Sequence, residues 1–284
     1  MNIALTGGSG LLGSEIGSLA VKYGHAIVKV NRDLVRPDLG MENVLQYIES
    51  LGCQFLIHCA ANTDVEYCEL NKHTCFKDNI LLSEVIANAC KQLDIKLVFI
   101  SSTGIYGDYK SEPFCEYDAV QPTTVHHRSK YLAENISQKI LSDVLIIRTG
   151  WLFGGTITST KNFVANRIRE AKNSKGNIES DALQVGNPTY VGDVAERILL
   201  LLQDNVTGVY NCVNSGIASR YEYVTKIIEF SDLDIKVNAS KKKFYRVAPV
   251  SFNESAINFK MDALSYPALP HWKVRLLEYI NTFV

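Results

Sequence analysis

The chain opens on an apolar run, Asn2-Ile3-Ala4-Leu5-Thr6, which breaks directly into Gly7-Gly8-Ser9-Gly10-Leu11-Leu12-Gly13. Glycines at this spacing, between a buried strand and a helix, build a cradle for a dinucleotide pyrophosphate. Gly7 permits the tight turn, Gly10 lets backbone approach the phosphates, and Gly13 lets the helix lie close to the strand. The first helical turn then offers free N–H donors and the positive end of the helix dipole to an anion. Both flanks agree with this: Ile3, Ala4 and Leu5 precede the glycines, and Leu11, Leu12, Ile16, Leu19 and Ala20 recur at helical spacing after them.

Four more apolar runs follow at 26–30, 55–59, 96–101 and 144–149. Each is rich in Ile, Val, Leu or Phe without polar alternation, which is how strands buried on both faces of a parallel sheet read. Helical stretches at 13–23, 43–52 and 79–93 separate them. Repeated strand–helix units predict an α/β fold with a doubly wound parallel sheet, and ligand outside the carboxyl ends of its strands. The segments after two strands, Cys59-Ala60-Ala61 and Ser101-Ser102-Thr103, therefore face the expected cleft. The second half is less regular, with helices expected at 194–203, 221–229 and from His271 to Ile280. It reads as a smaller C-terminal α/β part. The predicted organisation is a cofactor-binding domain over 1–150 and a mainly substrate-binding cap over 151–284, some of whose segments return to the sheet.

At 284 residues with 29 basic and 30 acidic side chains, the chain carries a net charge of −1 and has no electrostatic case for nucleic acid or an anionic membrane. No apolar run reaches the ~18 residues of a bilayer span. Residue 2 starts a strand rather than a basic leader, so no signal peptide and a cytoplasmic location are expected. The seven cysteines, Cys53, Cys59, Cys68, Cys75, Cys90, Cys115 and Cys212, form no CxxC pair and read as free thiols, with no metal site. The basic run 241–243 reads as a solvated turn. His58, at a strand end, reads as a satisfied core histidine.

Several motifs together resemble the extended short-chain dehydrogenases/reductases, and within them the dTDP-4-dehydrorhamnose reductases: Thr6–Gly13, His58-Cys59-Ala60-Ala61-Asn62-Thr63-Asp64-Val65-Glu66, Asp78-Asn79, Ser101–Gly107, Ser129-Lys130-Tyr131-Leu132-Ala133-Glu134, Arg148–Gly154 and Gly186-Asn187-Pro188-Thr189-Tyr190. The resemblance spans essentially the whole chain. It implies a Rossmann fold and NAD(P)H-dependent reduction of the 4-keto group of a nucleotide-diphospho-6-deoxyhexose. It also implies that Gly7, Ser9, Gly10, Leu11, Leu12 and Gly13 hold the pyrophosphate. Asp38 and Leu39 would lie at the adenine, Ala60, Ala61 and Thr63 at the nicotinamide, and Lys130 at the ribose. Arg32, after the second strand, suits the 2′-phosphate of NADP(H), while Asp33 leaves room for NAD(H).

The family's catalytic group is a Ser or Thr, a Tyr and a Lys. The lysine cation lowers the pKa of a phenol that ordinarily titrates near 10. Ser102 and Lys130 match this pattern, but four residues before Lys130 stands His126 in place of the tyrosine. Three readings follow. His126 is the acid, although the neighbouring ammonium depresses its pKa; or Tyr106, Tyr109 or Tyr131 takes the role; or the chain is a non-catalytic, regulatory cofactor-binding homologue. Epimerase or dehydratase chemistry would need a further base, for which Asp64, Glu66 and Glu116 are weak candidates. His127, next along the helix, is expected to face away from His126. Substrate contacts are expected from Ser102, Thr103, Trp151, Asn162 and Arg220, the last because a guanidinium matches a diphosphate. A nucleotide sugar is the expected partner, with the chain a monomer or homodimer.

Overall fold

The computed structural model describes residues 1–283 except Thr160, Lys243 and Phe244. The strands β1 (Asn2–Thr6), β2 (Ala26–Lys29), β3 (Phe55–His58), β4 (Lys96–Ser102) and β5 (Leu145–Thr149) are joined by a sixth, Gly208–Asn211. They form one parallel sheet in the order Gly208–Asn211, β5, β4, β3, β1, β2. The reversal of winding lies between β1 and β3, so the crevice of a Rossmann fold opens above Thr6 and His58.

Alternate residues of every central strand enter two different cores. Ile3, Leu5, Ile57, Val98, Ile100, Leu145 and Ile147 face helices α1 (Leu11–Lys22) and Val191–Gln203. Ala4, Leu56, Leu97, Phe99 and Ile146 face α2 (Met41–Ser50) and the later helices of the other layer. With both faces apolar, the strands lose the hydrophobic–polar alternation of a half-exposed sheet.

After β3 come the short helices α3 (Val65–Leu70) and α4 (Lys72–Phe76). A π-turn at Lys77–Leu81 then leads into α5 (Leu82–Gln92). The sequence predicts an unbroken helix from 79. The π-turn's extra residue re-aims Asn79 into the interior, where it is 1% exposed. The long helix α6 (Val125–Ile140), capped by the Thr124 hydroxyl accepting from His127 N–H, crosses the same face.

The second half folds on a third core of Phe153, Val164, Ile168, Tyr223, Ile227, Trp272, Leu276 and Tyr279. Its helices are Phe163–Lys172, Arg220–Phe230 and Trp272–Ile280. The segment 191–211 returns to the main sheet as helix and edge strand. All seven cysteines are free, and no helix among the described residues is long and apolar enough to cross a membrane. Lys241 and Lys242 are exposed; Lys243 lies outside the described residues.

One ion pair fastens α6 to the sheet. Glu134 receives a two-pronged contact from Arg148 of β5, Nη2 at 2.8 Å and Nε at 3.1 Å, with both side chains buried. Arg148 Nη1 donates to the Tyr106 hydroxyl (3.0 Å), which donates to Asn211 Oδ1 (2.7 Å). Replacing either charge strands the other in the interior. Glu134→Gln is expected to lower stability by about 3–5 kcal/mol, and the double variant Glu134→Leu/Arg148→Met to recover most of it. Urea unfolding of the three proteins checks this.

Candidate active site

The glycine cradle is set by contact distances. Gly7 has φ +67°, and a Cβ there would lie 2.7 Å from Ala60 N. A Cβ on Gly13 would lie 2.3 Å from Gly7 O, so the first turn of α1 rests directly on the loop. Gly10 N–H donates to Gly7 O (2.9 Å), and Gly10 caps α1 with no side-chain acceptor and no acidic residue in the first turn. The helix end is thus left to an external anion. Leu12 is buried in the core and Leu11 packs beneath Gly155, so both can offer an anion only their N–H groups. Ser9 is exposed beside them.

Beyond β2, Arg32 is largely exposed and pairs with Asp78 (3.1 Å). Asp33 N–H is turned back to the Asn31 side chain (3.0 Å). Asp38 lies between Arg36 (2.7 Å) and Lys77 (3.8 Å). Leu39 packs at the edge of the core.

A directional relay stands beneath the cleft. Ala60 N–H donates to Thr6 Oγ1 (3.2 Å), Thr6 and His58 Nδ1 are 2.7 Å apart, His58 Nε2 and Ser83 Oγ are 3.1 Å apart, and Ser83 donates to the Asn79 carbonyl (2.6 Å). Because Ser83 spends its proton on a carbonyl, His58 Nε2 must donate to it and Nδ1 must accept from Thr6. Burial, helped by the Lys130 charge, lowers the His58 pKa to about 3, so the ring is neutral and structural.

Asn79 ties three segments together. Its Oδ1 accepts from Asn62 N–H (2.6 Å), and its Nδ2 donates to Asn62 O (3.0 Å) and Ser129 Oγ (2.9 Å). Ser129 in turn donates to His126 O (2.7 Å). The loop after β3 and the start of α6 are thereby one unit.

Lys130 is buried, with its ammonium 4.1 Å from the centre of the Phe99 ring and no hydrogen-bond partner among the described residues. Burial lowers its pKa to about 8, against the opposing pull of Glu134. Ser102 accepts from Gly104 N–H (3.2 Å) and keeps its own proton free. Ala60 and Ala61 are half-buried and Thr63 is exposed.

His126 departs from the acid role read from the sequence. Its Nδ1 lies 3.0 Å from the Asn62 carbonyl, which can only accept, so Nδ1 carries the proton. Burial first, then His127 and Lys130, hold its pKa well below the usual imidazole range. The ring is therefore neutral, with a bare lone pair at Nε2, and has no proton to give there. Nor do nearby tyrosines replace it. Tyr106 is fully buried, donates to Asn211 and is pushed up to about 12 by burial. Tyr109 donates to the Ala119 carbonyl (2.9 Å). Tyr131 packs against the apolar cluster of Ile105, Tyr106 and Phe114. Glu66 and Glu116 are engaged too: Glu66 binds Arg246 and two backbone N–H groups, and Glu116 accepts from Asn211 N–H. Asp64 caps α3.

His127 does not face away from His126. At the helix start the ring centres are 5.1 Å apart, and His127 packs on Gly104. No group of three or more metal-ligating side chains occurs among the described residues.

The substrate candidates divide. Asn162 is fully buried and caps the helix Phe163–Lys172; its Nδ2 serves Gly154 O, Thr156 O and Tyr279 Oη, so it is structural, not a free contact. Thr103 is buried with Oγ1 against Gly150. Trp151, at φ +47°, donates to Glu254 (2.7 Å) and carries the Arg220 guanidinium 3.4 Å from its ring centre. Its indole is a floor for Arg220 rather than a bare stacking face. Arg220 Nε donates to Gln184 (3.3 Å), leaving the outer nitrogens of the fork without partners among the described residues. Sequence reasoning missed Asn79, Ser83, Glu254 and Arg246. Of these only Asn79 carried a signal, inside the Asp78-Asn79 motif.

The RmlD substrate binding domain family model matches residues 1–284. A dTDP-4-dehydrorhamnose reductase of Mycobacterium tuberculosis is 29% identical over 286 residues, 96% of this chain and 90% of that protein. The crystal structure of a dTDP-4-dehydrorhamnose reductase from Clostridium acetobutylicum superposes with a TM-score of 0.93 at 26% identity, covering 99% of both chains. That of Bacillus anthracis, in complex with NADP, gives 0.92 at 25% identity, covering 99% of this chain and all of the other. With a match running from the first strand to the last helix, the chain belongs to the RmlD substrate binding domain family.

Proposed function

We propose that the chain is an NADP(H)-dependent reductase of the 4-keto group of a nucleotide-diphospho-6-deoxyhexose, acting in nucleotide-sugar and surface-polysaccharide biosynthesis. The observation that carries this reading is the pairing of an uncapped, glycine-cradled helix end with a buried Lys130 ammonium that lacks a hydrogen-bond partner among the described residues. A phosphate and a ribose hydroxyl satisfy the two. The names of relatives similar along the whole chain support the substrate class. Residues 1–150 then hold mainly the cofactor and 151–284 mainly the sugar nucleotide, in a cytoplasmic monomer or homodimer.

Bound NADPH supplies the hydride. Ser102 donates its free proton to the substrate carbonyl. Lys130 holds the nicotinamide ribose and is still charged at neutral pH, so the proton that completes the alcohol is drawn from it and restored from solvent. Gly7, Ser9, Gly10, Leu11, Leu12 and Gly13 seat the pyrophosphate. Asp38 and Leu39 border the adenine, and Ala60, Ala61 and Thr63 the nicotinamide. Arg32 exchanges Asp78 for the 2′-phosphate, and Arg220 offers its fork to the sugar's diphosphate.

Turnover is checked by following NADPH oxidation with a panel of nucleotide 4-keto-6-deoxy sugars and identifying products by NMR. Tight NADPH binding without turnover on any of them would instead favour a regulatory homologue. Arg32→Ala is expected to raise the Michaelis constant for NADPH by about 10–100-fold and to leave that for NADH within about twofold, the weight of one hydrogen-bonded charge.

Lys130→Met is expected to abolish turnover without destabilising the fold. The ammonium titrates at about 8 when folded, against an ordinary 10.5. Its burial therefore opposes folding below about pH 8, by roughly 3 kcal/mol, and that penalty fades as pH rises from 8 to 10.5. Wild type should gain stability over that window. The methionine variant should not, and denaturant titrations across pH 7–10.5 compare the two.

A further inference from the structure

We propose that His127, rather than His126, presents an N–H to the oxygen of the reacting carbonyl, so that the adjacent histidines act as a donor and an acceptor. The proposal deepens the reductase reading and rests on it.

The surroundings of each ring fix where it keeps its proton. His126 Nδ1–H is spent on the Asn62 carbonyl, which leaves Nε2 an acceptor. His127 has no such anchor. Its Nδ1 is buried without a partner. A proton there would make a buried donor with nothing to receive it, whereas an unprotonated nitrogen leaves only an unfilled acceptor, the less costly orphan. Nε2 makes no hydrogen bond to a described residue and is not among the fully buried unpartnered atoms. The proton therefore sits on Nε2, on the edge of the ring that packs on Gly104.

Placement points the same way. A Cβ on Gly104 would lie 2.2 Å from His127 Cε1 and 2.3 Å from Nε2, so the ring fills the space a side chain at 104 would need. Gly104 belongs to the turn that starts at Ser102, the hydroxyl assigned to the same carbonyl. The charge of Arg246, from the second half of the chain, reaches His127. Burial, with Arg246 adding, lowers the His127 pKa to about 4. The imidazole is neutral and acts through a hydrogen bond, as a fixed dipole aimed where negative charge develops. Hydride adds to the carbonyl carbon, the π pair moves to oxygen, and the proton comes from the Lys130 ammonium; His127 is unchanged at the end.

Two measurements test this. Long-range proton–nitrogen NMR on the histidine-labelled chain at pH 7, assigned with H126Q and H127Q, should show His126 protonated at Nδ1 and His127 at Nε2. A proton on His127 Nδ1, or a cationic ring, overturns the assignment. In the keto-sugar assay, His127→Phe should lose about 10²–10³-fold in kcat while NADPH affinity is unchanged. His127→Gln, whose amide N–H reaches about as far as Nε2, should stay within about tenfold of wild type. Full activity in His127→Phe sinks the inference and leaves the reductase reading standing. A wild type that reduces no keto sugar sinks that reading, and the NMR spectrum still decides where the two protons lie.

Discussion

The cleft depends on how firmly α6 is held against the sheet, and that is decided by the forked contact between Glu134 and Arg148. Lys130 lies one turn before Glu134 on the same face of the helix, and His126 one turn before Lys130. Moving the helix by a fraction of an ångström would carry all three. Arg148 also reaches Tyr106 and, through it, Asn211 of the edge strand. The same charge thus spans helix, sheet and the turn after Ser102. A buried pair of this kind adds little net stability beside an apolar substitute, but it tolerates only one register.

Much of the fold was legible because its strands are buried on both faces. All five predicted strands appear within one residue of their expected ends, and the glycine spacing marked the turn on which α1 begins. What escaped was structure whose cause is not local. The π-turn at Lys77–Leu81 arises because Asn79 must satisfy Asn62 and Ser129, residues that periodicity does not connect with it. Helix Val191–Gln203 starts three residues before its apolar pattern becomes clear, on Val191-Gly192-Asp193.

The candidate site was legible as a list but not as chemistry. Lys130 and His126 share one face of α6, and His127 beside them packs on Gly104 of the turn that starts at Ser102. Which nitrogen of His126 carries the proton depends on a carbonyl 64 residues away in sequence, and no pattern around residue 126 encodes that. Helical spacing also misjudged His127, whose ring lies tilted beside that of His126 with the centres 5.1 Å apart. Asn162 looked available because its polarity was visible and its four partners were not. For Trp151 and Arg220 the spacing of 69 residues hid a direct stack.

The relay from Ala60 through Thr6, His58 and Ser83 to Asn79 has one further consequence. Every proton in it points the same way, and each hydroxyl is donor on one side and acceptor on the other. Such a row has no independent members: reversing one bond would require reversing all of them, and its two ends, a backbone N–H and a backbone C=O, forbid that. The row therefore behaves as a ratchet with a single setting. It fixes the orientation of the loop after β3 from a serine on α5, and does so without any charge for salt to screen.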